Sequence, residues 1–282
     1  MPIEDNSPSF SQPPVEEVAL AVQFDEGAVD TLSAAAFRNT LLSTFPKHQE
    51  QPPRPPMDEP FDAVVEALPF RFEVFGAPPM PRFWFLNEDG SRLVQLQHDL
   101  LAVNWRHLPE GPDYPRFLAL RDELGKLLAS LDATVKEAGK RGLRPNWCEV
   151  SYINHVTANG DRPALHELLT VVAPPKPERF LPAMEDGQLV ARYGIEEEGT
   201  PVGRLTVNVS SAIRNVDRVP IWVLTLAARV RAAGEELKDA MAALDKGHAW
   251  ALQGFLDLTT TEMQSKWGLQ QKGRGDKRGG GS

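Results

Sequence analysis

RFWFLNEDGSRLVQLQHDLLAVNWR, residues 82–106, is the stretch on which the fold turns. Two apolar runs flank Asn87-Glu88-Asp89-Gly90. Asp-Gly between apolar runs marks a hairpin, because Gly takes positive φ without steric cost. A third run follows directly, so strands are expected over 82–88, 91–98 and 100–106. Among the Leu and Val of these runs stand Gln95, Gln97, Asn104 and Arg106. Strand alternation puts Gln95 and Gln97 on one face, and likewise Asn104 and Arg106. A carboxamide both donates and accepts hydrogen bonds. Such a face suits a polar ligand, a peptide backbone or base edges better than a bare charge. An ordinary solvated sheet face carries Lys, Glu and Thr, which are scarce here.

Upstream, Val15–Phe24 alternates Val18, Leu20, Val22 and Phe24, the period of a strand. Thr31 or Ser33 is expected to cap a helix reaching Phe45, with Leu32, Phe37, Leu41 and Leu42 on its apolar face. Residues 51–60, QPPRPPMDEP, read as a stiff proline-rich connector. A further strand is expected at 69–76.

Downstream, Tyr114-Pro115 opens a long helix to about Lys140, with Phe117, Leu120, Leu124, Leu128, Leu131 and Val135 at helical spacing. Residues 147–156 read as a strand, in which Tyr152 and Asn154 share a face. A short helix at 163–169, strands at 188–197, 203–214 and 219–230, and a long helix over 234–258 follow. The element order strand, helix, strands, helix thus occurs twice. The expected fold class is α+β with two pseudo-repeated halves, 15–143 and 144–268. Their antiparallel sheets would lie edge to edge, with the long helices packed on one face and the other face open. Residues 1–14 and the basic, Gly-rich 269–282 are expected to be disordered.

The 282 residues carry a net charge of −9, with 41% hydrophobic and 24% charged residues, a soluble globular composition. That charge speaks against general nucleic-acid binding, the basic tail apart. The single cysteine, Cys148, excludes an internal disulfide, and a cytoplasmic setting is the default. No apolar run approaches the roughly 18 residues of a membrane span, so no membrane partner is expected. The chain has no GxSxG elbow, phosphate-binding P-loop, HExxH or CxxC pair. No catalytic residue, metal ligand or cofactor is assigned. Cys148 and His155 fall on opposite faces of their strand, and His248 lies on the apolar side of the last helix as a core histidine. All six tryptophans are expected in the core, with Trp267 docking the C-terminal segment.

Short motifs recur in a set order: Pro14-Val15-Glu16, Arg82-Phe83-Trp84-Phe85, Leu93-Val94-Gln95-Leu96-Gln97, Asn104-Trp105-Arg106, Tyr114-Pro115, then residues 149–155, 255–260 and Trp267-Gly268. This series resembles an uncharacterised prokaryotic family of sporadic distribution. The resemblance spans residues 14–268 and is thinnest over 157–203. It implies an accessory role, such as a defence or toxin–antitoxin component, and supplies no activity, cofactor or site residues.

The expected function is therefore that of a binding or interaction protein. It would recognise a polar ligand or a protein partner through Gln95, Gln97, Asn104, Arg106, Tyr152 and Asn154, with Arg106 as charged anchor. One alternative is a small-molecule effector-binding domain with a cleft between its repeats. The other is a hydrolase or nuclease-like enzyme built on His98, Asp99, Glu149 or His155. An oligomer is compatible with either.

Overall fold

Asp89-Gly90 closes the hairpin as its chemistry requires. Gly90 has φ 81°, the Asp89 carboxylate accepts from the Ser91 amide at 2.7 Å, and the Asn87 side chain accepts from the Arg92 amide at 2.9 Å. The computed structural model describes residues 8–61, 80–182 and 184–270. In chain order the elements are β1 (Ser9–Phe10), β2 (Val15–Phe24), α1 (Thr31–Leu41), β3 (Lys47–Gln51), β4 (Arg82–Leu86), β5 (Arg92–Gln97), β6 (Leu100–Arg106) and α2 (Arg116–Glu137). Then come β7 (Pro145–Val156), α3 (Leu165–Leu168), β8 (Gln188–Glu197), β9 (Thr200–Ile213), β10 (Pro220–Arg231), α4 (Leu237–Leu258), α5 (Thr261–Lys266) and β11 (Leu269–Gln270). The fold is α+β with antiparallel sheets. The strand expected at 69–76 lies outside the described residues, as do residues 271–282 of the basic tail.

Nine strands form one antiparallel sheet in the order β3-β4-β5-β6-β2-β7-β10-β9-β8. Its central pair, β2 with β7, sets Val22 opposite Cys148, Leu20 opposite Val150 and Val18 opposite Tyr152. Those β7 residues face α4. The Cys148 thiol bonds the Ala240 carbonyl at 3.5 Å, Gly247 sits against Val150, and Tyr152 reaches His248. A side chain at Gly247 would meet Val150 and the Ala228 carbonyl, so glycine sets how closely α4 approaches the sheet. Helix α2 packs on β6, β2 and α4, and Arg121 grips Asp245 of α4 through two nitrogens. The α2 stripe from Phe117 to Val135 is buried at the expected spacing.

Several expectations change. Asp30 caps α1, accepting from the Ser33 amide at 2.7 Å, and Leu32 is 80% exposed. The helix is thus turned so that Phe37 and Leu41 alone of its expected apolar face are buried. Ser9–Phe10, inside the stretch expected to be disordered, pairs with Leu269–Gln270. Phe10 is held there between Phe255 and Trp267. Trp105, Trp147, Trp222 and Trp267 are buried, but Trp250 is 36% exposed and Trp84 half-buried.

Candidate functional site

The amide-bearing strands place their polar residues on the sheet face away from α4. There Gln95 Nε2 donates to Asn104 Oδ1 at 2.7 Å, and Asn104 Nδ2 donates to Glu17 Oε1 at 2.5 Å. Gln95 Oε1 accepts from Arg82 and from the Trp84 indole at 3.1 and 3.2 Å. Arg106 lies 3.6 Å from Glu17 and 4.9 Å from the Trp84 ring centre. Gln95, Asn104 and Arg106 therefore form one network with Glu17, Arg82 and Trp84, in which the buried Nε atoms of Arg82 and Arg106 have no hydrogen-bond partner.

Gln97 shares this face but has another partner. The proline-rich residues 52–60 run across the sheet as a strap, forming neither helix nor strand. Gln97 accepts from the Arg54 amide and donates to the Arg54 carbonyl, each at 3.0 Å. Gln23 does the same for Met57, donating to its carbonyl at 3.0 Å and accepting from its amide. Asp99 and Asn146 orient the two carboxamides from behind. Met57 is buried on Ala21, Leu100, Ala102 and Trp147. Beyond it, Glu59 pairs with Arg229 at 3.1 Å and Arg204 at 3.4 Å, while buried Glu149 holds Arg229 at 2.6 Å and Arg54 at 3.4 Å. Burial alone would raise the Glu149 pKa, but the two guanidinium groups outweigh it and hold the carboxyl below its ordinary value.

Tyr152 and Asn154 do not join this surface. The β2–β7 register sets Tyr152 opposite Val18, while β2–β6 sets Asn104 opposite Ala19. Adjacent positions of β2 face opposite ways, so Tyr152 and Asn154 point to the helix side. They line a cavity of about 470 Å³ between α2, α4 and the Pro8–Val15 segment. Phe117 stacks on His248 with ring centres 3.9 Å apart, and His248 Nδ1 shares a hydrogen bond with the Tyr152 hydroxyl at 2.8 Å. Tyr114 approaches the same hydroxyl from the start of α2. Burial raises Tyr114 to about 12 and Tyr152 well above the phenol range, so both stay protonated at neutral pH. Asn154 donates to the Leu224 carbonyl at 3.0 Å.

Arg116 stands exposed at the cavity wall as the first residue of α2. Its φ is 72°, a costly value for a side-chain-bearing residue, and it makes no ion pair among the described residues. Pro115 before it supplies no side-chain cap, so the first amides of α2 have no such partner.

The residues named for acid–base chemistry remain apart. His98 Nε2 is 3.8 Å from Asp99, and His155 Nδ1 is 3.9 Å from Glu16, both beyond hydrogen-bond length. Cys148 is buried among apolar groups, which pushes its thiol well up. Among the described residues no group of three His, Cys, Asp or Glu converges as metal ligands, and no helix is long and apolar enough to cross a membrane. Gln23 and Met57 carry no motif that singles them out, and Tyr114 and Phe117 are legible only as the start and the apolar stripe of a helix. Their roles come from strand register and helix docking. No family model, curated protein or solved structure matches the chain.

Proposed function

We propose that the protein is a non-enzymatic binding protein whose ligand is a small molecule with a flat apolar body and an anionic or strongly polar head. The observation that carries this is the cavity of about 470 Å³, walled by Phe10, Phe117 and Phe255 with a few polar groups among them. Largely apolar pockets with a few placed polar groups are where small molecules bind. The phenols of Tyr114 and Tyr152 offer neutral hydrogen-bonding groups, and Arg116 offers an unpaired charge at the wall.

The reading takes the chain as two related halves, 15–143 and 144–268. In each, the last strand of a meander returns beside the first strand, β6 beside β2 and β10 beside β7, and a long helix follows. Both long helices would then cover the same face. Tyr114 and Phe117 come from one half, Tyr152 and His248 from the other, so the cavity is a cleft between repeats. A ligand-responsive binding protein fits the accessory role implied by the family resemblance.

The probe of choice is 1-anilinonaphthalene-8-sulfonate, an apolar ring system with an anionic head. Its fluorescence is expected to saturate at one site per chain at neutral pH. Leu252→Trp, which fills the cavity from α4, is expected to abolish that signal. Absence of saturable binding, or binding that Leu252→Trp leaves intact, sinks the reading. Arg116→Gly separates strain from function. Glycine accepts the positive φ, so stability should hold or rise by about 1 kcal/mol while probe affinity falls about tenfold. Urea titration and fluorescence titration of the same samples check the two halves of that statement.

A further inference from the structure

The strap fits the sheet through a match of two repeats. In a polyproline-II chain, residues i and i+3 return to the same side about 9.3 Å apart. Gln97 and Gln23 both stand opposite Leu100, one on each neighbouring strand. They are thus two strand spacings apart, about 9.6 Å. Gln97 pairs with both backbone groups of Arg54, and Gln23 with both of Met57, three residues later. Carboxamides bonded to backbone read chain conformation rather than side-chain identity. Pro52, Pro53, Pro55 and Pro56 restrain the segment toward that conformation before it docks.

The receptor side is complete without the strap. Asp99 and Asn146 hold the glutamines in place, and Glu149 keeps Arg229 as a partner. Departure of the strap would therefore leave buried Glu149 paired with Arg229, and would free Arg204, which Glu59 and the Pro60 carbonyl hold, for the carboxylate of another segment. On the strap itself only Met57 is buried, and the four prolines before it are exposed. We propose that the row from Gln97 to Gln23 is a receptor for an extended, proline-rich peptide with a carboxylate five residues after the first residue read. Residues 52–60 are its built-in occupant, and a partner segment of the same pattern displaces them. This site is independent of the cavity on the other face.

The test uses a fluorescein-labelled peptide of residues 51–61. It is titrated against the full chain and against a chain whose residues 52–60 are a Gly/Ser linker of equal length. The linker chain is expected to bind the peptide saturably, and the full chain at least tenfold more weakly. Gln23→Ala with Gln97→Ala in the linker chain should lower affinity at least tenfold. One proline inserted between positions 55 and 56 of the peptide should do the same, because it breaks the three-residue phase. In the full chain, excess unlabelled peptide should speed hydrogen exchange at the Met57 amide. A linker chain that unfolds, or that stays folded and does not bind, overturns the proposal. So does equal binding of the inserted peptide, or a Met57 amide that stays protected at saturating peptide.

Discussion

Glu149→Ala is expected to lower the stability of the protein by about 3–5 kcal/mol, the usual result of breaking a buried ion pair from one side. The carboxylate is 6% exposed and lies between Arg229 and Arg54. Without it Arg229 still pairs with Glu59 of the strap, so the loss should fall toward the lower end of that range. Glu149→Gln keeps the shape and isolates the charge. Because the folded-state pKa lies below the unfolded value, the charge contributes fully at neutral pH. That contribution disappears as pH falls through the carboxylate range toward the folded pKa. The stability gap between the parent and Glu149→Gln, read from urea unfolding at several pH values, should therefore shrink on acidification. A gap that grows at low pH would refute the assignment.

Trp222→Ala is expected to cost about 3–5 kcal/mol, the range for removing a large buried aromatic. The indole is 1% exposed and donates to the Pro163 carbonyl at 2.8 Å, and Arg162 lies 4.6 Å from its ring centre. The substitution thus opens a cavity and strands an acceptor in the loop before α3. Trp250→Ala, on the exposed side of α4, is expected to change stability by less than about 0.5 kcal/mol. Thermal unfolding of the two variants side by side checks both figures, and equal effects would contradict the burial difference.

That pair of tryptophans shows where sequence reading stops. Composition marks both as core residues, and only their places in the fold separate them: Trp222 in β10 packs under the loop before α3, whereas Trp250 lies on the outer side of α4. Local signals were legible where a turn or a period dictated them: the Asp89-Gly90 hairpin, the α2 stripe, and the alternation of Val18, Leu20, Val22 and Phe24 in β2. Leu32 misled because α1 is short and its rotation is set by contact with α2, a tertiary effect. The amide residues were legible as unusual but not as a surface. Each strand's alternation fixes its own two faces. Only the pairing across β2 decides that Asn104 and Tyr152 point opposite ways. Gln23 carried no signal, since a lone Gln between Val22 and Phe24 gains meaning only from standing in the same row as Gln97. The strap has no hydrophobic period at all, and its contacts are long-range in sequence.

The β2–β7 pair at the sheet centre also has a consequence for synthesis. Strand β2 ends at Phe24, but its partner on one side is complete only at Val156. At about 5–20 residues per second, a nascent chain waits on the order of ten seconds with that edge of β2 unpaired. The first sheet must survive this interval as a half with an open, apolar border at its middle. Truncated chains released before residue 145 should accordingly associate through β2, whereas longer ones close the border internally.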